Sequence, residues 1–99
     1  MRPIHLARLD KTRPVLVLTR ELVRPHLRRV TVAPITSAVR GLSTEVVVGV
    51  RNGLDHDSVV NLDNVVTIPA GDLGRQVGFL HPDQEHALTV AIVAAFDLE

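Results

Sequence analysis

Short apolar runs separated by Pro, Gly and Asn turns fill most of the chain and predict a series of strands. Several of these runs are nearly continuous stretches of Val, Leu and Ile, which favour a pleated backbone. The Asn52-Gly53 pair is a strong turn signal between two of them. The predicted strands span 4–9, 14–19, 30–36, 44–50, 58–68 with a bend near Asp63, and 76–80.

The period of the apolar positions changes after residue 80. His81 is a candidate N-cap, Pro82 occupies the first helical position, and the helix follows. Its apolar residues recur at helical spacing at Leu88, Ala91, Ile92 and Ala95. Val90 and Val93 add apolar surface elsewhere on the helix, so a dimer contact is expected. Five or six strands and one helix predict a β-dominated α+β fold.

Composition narrows the class of protein without naming a function. A chain of 99 residues fits a single domain spanning 1–99. Its 17 valines and only two aromatic residues predict an aliphatic core, and the absence of cysteine excludes disulfides. The N-terminus is too charged for a signal peptide, and no apolar run is long enough to span a bilayer. A soluble, cytoplasmic protein without membrane contact is therefore expected.

The zero net charge hides a division along the chain. Residues 1–40 carry nine of the eleven cations and two carboxylates, whereas residues 41–99 carry two cations and nine carboxylates. Nearly all the cations are arginine, which suits phosphate contact. A polyanion is a candidate ligand, and a charge-dotted solvated surface is the alternative. The candidate phosphate track comprises Lys11, Arg20, Arg24, Arg28, Arg29 and Arg40.

Two polar side chains stand at strand ends, where functional groups commonly lie on a rigid scaffold. Arg13 precedes the apolar run 14–19, and Thr36 closes the run 30–36. With these phrases the chain resembles the MazF/PemK family of toxin ribonucleases. The matching phrases, in the expected order, are RPVLVL (13–18), VAPITS (32–37), DSVVNLDNVVTI (57–68) and LGRQVGFL (73–80).

This resemblance implies a fold, an activity and partners. The implied fold is a small SH3-like barrel of the CcdB/PemK type with a C-terminal helix, assembled as a homodimer. The implied activity is sequence-specific cleavage of single-stranded RNA by a toxin that inhibits translation and growth. The implied partner is a cognate MazE-like antitoxin whose extended segment covers the groove. No metal and no cofactor are expected.

The family's catalytic arginine falls on Arg13 and its catalytic threonine on Thr36. The acidic and amide pair near the RNA path falls on Asp63 and Asn64. The remaining predicted RNA-binding residues are Lys11, Thr12, Ser37 and Arg40.

Elementary chemistry is consistent with these roles. RNA carries its own nucleophile, the 2′-OH, so the enzyme must stabilise the negative charge that develops on phosphorus. A guanidinium offers five donors in a fixed fork. The expected products carry a 2′,3′-cyclic phosphate and a 5′-OH, and the general base is left unassigned.

Other interpretations remain open from the sequence. Asp55-His56-Asp57 could indicate a metal site, although no second cluster completes it. A CcdB-like toxin that poisons DNA gyrase by protein contact is the main alternative, and an interaction module without enzymatic activity is another.

The chain also departs from the family pattern. The loop between the first two strands shrinks to Asp10-Lys11-Thr12, and Val66 replaces an arginine often found before Thr-Ile. These departures bear on which RNA sequence is recognised more than on cleavage itself.

Overall fold

Seven short strands and one C-terminal helix form the molecule in the computed structural model, which describes residues 2–98. The strands are β1 (Arg2–Arg8), β2 (Thr12–Val17), β3 (Arg29–Thr36), β4 (Glu45–Val48), β5 (Ser58–Asn61), β6 (Val66–Pro69) and β7 (Leu73–Leu80). The helix, α1, spans Glu85–Ala95. The predicted β-dominated α+β class is confirmed.

All strand pairs are antiparallel, in the order β4-β5-β3-β2-β1-β7, with β6 also paired to β3. β3 is the central strand. One of its edges pairs with β2, while its other edge pairs first with β6 and then with β5. This change of partner curls the sheet into a half-barrel. The start of β2 and the end of β3 lie together at one rim of it.

β3 is paired along both sides, so Pro34 does not mark an edge strand. Pro34 lies between the residues that pair with β6, ending at Val32, and those that pair with β5, beginning at Ile35. Proline has no N–H to donate, so it fits the point where the ladder changes partner.

The apolar runs of β2 and β3 are nearly continuous because both faces of these strands are buried. Leu16 and Ile35 belong to a core cluster that α1 covers, whereas Val15, Val17 and Val32 belong to a second cluster on the other face. A strand covered on both faces needs apolar side chains at successive positions rather than alternate ones. The predicted aliphatic core is confirmed: the core residues are Ile, Leu, Val and Ala.

Several predicted boundaries differ from the structure, three of them for a local reason. The run 58–68 is two strands, because Leu62–Asn64 forms a 3-10 turn that redirects the chain. The last strand begins at Leu73 rather than 76, since pairing with β1 orders its exposed first half. The α-helix begins at Glu85, after a 3-10 turn over Pro82–Gln84, and the His81 ring contacts the Arg51 carbonyl oxygen (Nε2 to O, 2.8 Å).

The predicted turn at Asn52-Gly53 forms a rigid joint beneath the sheet rim. Gly53 has φ 88° and packs so closely on β7 that a Cβ would collide with the Val77 carbonyl. Asn52 is fully buried; its Nδ2 donates to the Phe79 carbonyl (2.8 Å) and to Gln84 Oε1 (2.7 Å). Its Oδ1 accepts from the Gly49 amide at 3.1 Å. The joint therefore ties the start of α1 to β7.

Within residues 2–98, no helix has the length and apolar character that crossing a membrane requires.

Candidate functional site

Strand register brings the two predicted catalytic residues together. Val15 of β2 pairs with Pro34 of β3. Continuing this antiparallel register by two residues places Arg13 opposite Thr36, and opposed residues present their side chains on the same face. The two residues are 23 positions apart in sequence, yet they meet at one rim of the sheet.

Two adjoining cavities open at this rim, with volumes of about 310 and 410 Å³, and Arg13 and Thr36 line both. We call the pair the groove. Both side chains are half-buried, and the side chain of Arg13 is 31% exposed. They are therefore neither separated nor sealed inside the protein, and a ligand in the groove would touch both.

Arg13 is held by a fork of hydrogen bonds from its own turn. Its Nε donates to Asp10 Oδ1 at 2.9 Å, and its Nη2 donates to Asp10 Oδ2 at 3.0 Å. The hydrogen bonds from Arg13 lower the pKa of Asp10 from 3.8 to about 2, and the same pair raises the pKa of Arg13. Within residues 2–98, Arg13 Nη1 has no hydrogen-bond partner. The guanidinium is thus charged, oriented and able to donate further.

Among the described residues, none accepts a hydrogen bond from the Thr36 hydroxyl. Its Oγ1 accepts a hydrogen bond from the Ala38 amide at 3.1 Å, which occupies a lone pair. The hydroxyl hydrogen can therefore be donated to a ligand that reaches Arg13 as well.

The smaller cavity, which we call the amide half, carries Asn61, Asn64 and Arg40. Asn61 Oδ1 accepts from the Asp63 amide at 2.9 Å and so caps the turn that presents Asn64. Arg40 lies on a loop clasped by Glu45, whose carboxylate accepts from the amides of Arg40 (3.3 Å) and Leu42 (3.1 Å). Asparagine amides can both donate to and accept from a base edge.

The larger cavity, the cationic half, contains the predicted residues Lys11, Thr12 and Ser37. Asp55, His56 and Arg75 complete its polar lining. A ligand crossing the groove would therefore pass from amides, over Arg13 and Thr36, to a surface with two further cations.

Asp63 is the one predicted site residue that does not line the groove. Its Oδ2 instead accepts a hydrogen bond from Thr44 Oγ1 at 2.6 Å. This contact holds the 62–64 turn in place, so Asp63 helps to position Asn64 without lining the groove itself.

The candidate phosphate track is divided by the fold. Lys11 and Arg40 line the groove, but Arg20, Arg24, Arg28 and Arg29 belong to the β2–β3 connection and the first residue of β3, at the other end of that strand. The six residues therefore form two separate groups, one at the groove and one at the far end of β3.

Sequence reasoning did not select several groove residues. Asp10 could have been predicted from the sequence, because an acid three residues before an arginine in a tight turn can form an ion pair with that arginine. Asn61, Glu45 and Arg75 carried none, since only the pairing of distant strands brings them to this rim. Asp55 and His56 line the groove, and within residues 2–98 no three His, Asp or Glu side chains form a group able to hold a metal ion.

Comparison with known proteins places this geometry in a family. The profile described as "PemK-like, MazF-like toxin of type II toxin-antitoxin system" matches residues 4–96. The chain is 66% identical over 99 residues to the Mycobacterium tuberculosis protein named endoribonuclease MazF3, covering all of this chain and 96% of that protein. It is 38% identical over 86 residues to the probable endoribonuclease MazF5 of the same organism, covering 86% and 79% of the two chains.

Solved structures agree with the fold. The Mycobacterium tuberculosis toxin MazF-mt6 superposes with a TM-score of 0.97 at 65% identity, covering 99% of both chains. A mycobacterial endoribonuclease solved with its cognate antitoxin shares the fold at 23% identity and a TM-score of 0.86, covering 98% and 93%. The names of these relatives agree with the predicted RNA-cleaving enzyme and do not favour the gyrase-poison alternative. The chain belongs to the PemK/MazF family of type II toxin–antitoxin toxins.

Proposed function

We propose that this chain is an endoribonuclease toxin that cuts single-stranded RNA at the groove, with Arg13 and Thr36 as its catalytic residues. The single observation that supports it most is the lining of both groove halves by these two side chains. The names of the relatives at 66% and 38% identity support the same activity.

The chemistry needs only the RNA's own 2′-OH, the groove and solvent water. The 2′ oxygen gives its proton to water and bonds to the adjacent phosphorus; the bond to the 5′ oxygen then breaks, and that oxygen takes a proton from water. The products carry a 2′,3′-cyclic phosphate and a 5′-OH. Arg13 donates to the non-bridging oxygens as their negative charge grows, and Thr36 donates to the same phosphate to keep it in line.

Arg13 acts as a charge rather than as a base in this proposal. Asp10 raises the pKa of the guanidinium, which keeps its proton in place at any physiological pH. Because Asp10 already orients Arg13, little reorganisation is needed as the charge develops.

Flanking residues of the groove would select the RNA. Asn64 and Arg40 in the amide half, and Lys11, Thr12 and Ser37 in the cationic half, are the proposed RNA-binding residues, with Asp63 supporting the turn that carries Asn64.

The test is cleavage of a long RNA in EDTA, with mapping of every cut and analysis of the end groups. We expect cuts at a short motif and cyclic phosphate ends. Arg13→Ala should slow cleavage about a hundredfold or more, because loss of one such donor costs roughly 3 kcal/mol in the transition state. A folded Arg13→Ala protein that cuts at the wild-type rate would reject the site.

The partners follow from the same family. We propose a homodimer that covers apolar side chains left exposed on α1, where Val90 is 49% and Val93 38% exposed. We also propose an antitoxin whose extended segment occupies the groove, and a cytoplasmic site of action on cellular RNA that stops translation and growth. Wild-type toxicity that is lost in Arg13→Ala and suppressed by a co-expressed antitoxin would support this assignment.

A further inference from the structure

A second cationic surface lies away from the groove. It consists of residues 20–29, here called the distal arginine segment, with Arg20, Arg24, Arg28 and Arg29 against the single carboxylate of Glu21. Arg29 and Thr36 are the first and last residues of the eight-residue strand β3. At ~3.3 Å per residue they are separated by roughly 23 Å.

Within residues 2–98, none of the arginines of this segment forms an ion pair with an acid. The ion pairs within residues 2–98 are Arg2–Glu85, Arg13–Asp10 and Arg51–Asp83. In the described chain, the Nε of Arg24 is buried without a hydrogen-bond partner. Arg28 and Arg29 are exposed. The exposed guanidiniums of Arg28 and Arg29 are therefore free to pair with an external anion.

The backbone that carries these cations is ordered by hydrogen bonds. Arg24–His26 forms a 3-10 turn, and the Arg24 amide donates to the Arg20 carbonyl at 3.0 Å. The Ala70 amide donates to the Arg28 carbonyl at 2.7 Å, which anchors the far end of the segment beside β6. The charges are thus presented from a defined surface, so binding an anion does not require this backbone to fold.

We propose that the distal arginine segment is a second binding site for the phosphate backbone of the RNA substrate. The inference rests on the proposed function, because the groove then acts on a polyanion that extends beyond its ends. Arginine without a local carboxylate binds phosphate by charge-assisted hydrogen bonds and releases counterions. Only an RNA that continues well beyond the scissile phosphate reaches the segment, so it favours long RNAs over short ones.

The experiment compares two substrates with the same cleavage motif, a long RNA and an oligonucleotide that fills only the groove. The variant is Arg24→Gln/Arg28→Gln/Arg29→Gln, and the matched control, Arg24→Lys/Arg28→Lys/Arg29→Lys, keeps the charge. For the Gln variant we expect kcat/KM on the long RNA to fall about tenfold, and its log–log salt dependence to weaken by roughly 0.7 per arginine. Cleavage of the oligonucleotide should be unchanged, and the Lys variant should resemble wild type.

Equal kcat/KM for the Gln variant and wild type on the long RNA would overturn the proposal, as would an equal loss on both substrates. Leu22→Ser removes a leucine that is 90% exposed in the same segment and leaves its charge intact. A loss on long RNA from Leu22→Ser, with none from the Gln variant, would identify an apolar protein-docking surface instead.

If wild type cuts neither substrate, the proposed function fails. The proposal for the distal arginine segment is then tested separately, by the affinity for the long RNA measured by fluorescence anisotropy. Weaker binding by the Gln variant supports it, and unchanged binding overturns it.

Discussion

The groove and the distal arginine segment are both rich in arginine, but their charges are arranged in opposite ways. In the groove Arg13 is paired with Asp10, and the backbone of the loop that carries Arg40 is hydrogen-bonded to the Glu45 carboxylate. In the distal arginine segment no arginine forms an ion pair with an acid among the described residues. The groove thus combines a small net charge with a fixed geometry, whereas the segment combines a large net charge with little side-chain constraint.

This difference separates two uses of the same side chain. Catalysis needs a donor held where negative charge develops, and a carboxylate partner supplies that orientation. Electrostatic attraction of a long polyanion needs uncompensated charge and tolerates imprecise geometry. Orientation should therefore matter in the groove, and charge in the distal arginine segment.

The largest expected effect is the loss of cleavage rate caused by Arg13→Lys. A lysine keeps the charge but cannot form the two-pronged contact with Asp10 while donating to phosphate. We expect kcat on the short oligonucleotide to fall by about a hundredfold, whereas the Lys variant of the distal arginine segment retains its rate. Single-turnover kinetics measures both. An Arg13→Lys enzyme with more than half the wild-type rate would show that charge alone is sufficient in the groove.

The next effect concerns stability beneath the groove. Asn52→Ala leaves the Phe79 carbonyl and the Gly49 amide without their buried partner, and should lower the free energy of unfolding by about 2–4 kcal/mol. The matched control is Asn64→Ala, an exposed amide of the groove, with an expected change under about 0.5 kcal/mol. Urea denaturation followed by far-UV circular dichroism measures both variants. Equal free energies of unfolding for the two variants would mean that the Asn52 hydrogen bonds do not stabilise the fold.

A smaller effect is expected for the hydroxyl of Thr36. Thr36→Val keeps the shape of the side chain and removes its donor, so cleavage should slow about tenfold while Thr36→Ser retains most of the rate. Thr31→Val changes a threonine near the other end of β3 and should leave cleavage of the short oligonucleotide unaffected. A wild-type rate for Thr36→Val would remove Thr36 from the catalytic residues.

The smallest expected effect on function is that of the ionisation of Asp10. The native pKa of Asp10 is lowered to about 2, so the favourable pairing is complete above about pH 4 and is lost as the pH falls towards 2. Carboxyl NMR should show Asp10 titrating near 2 in the wild type and close to 3.8 in Arg13→Ala. Activity near neutral pH should show no dependence on this group. Titration of wild-type Asp10 at 3.8 would mean that the fork does not persist in solution.

The sequence by itself determined the fold class, the strands 14–19 and 30–36 to within two residues, the apolar core and the presence of a C-terminal helix. These features depend on local periodicity, and the apolar runs of β2 and β3 were long enough to be unambiguous. The phrases around Arg13 and Thr36 also indicated the two residues to examine together.

Only the tertiary structure decided how distant positions meet. The pairing of β2 with β3 brings Arg13 and Thr36 to one rim, and the half-barrel curl brings Asn61, Asn64 and Arg75 to the same rim. The same topology carried the arginines of 20–29 to the other end of β3, although their sequence position grouped them with Lys11. Strand pairing depends on packing between residues far apart in the chain, so local propensity does not encode it.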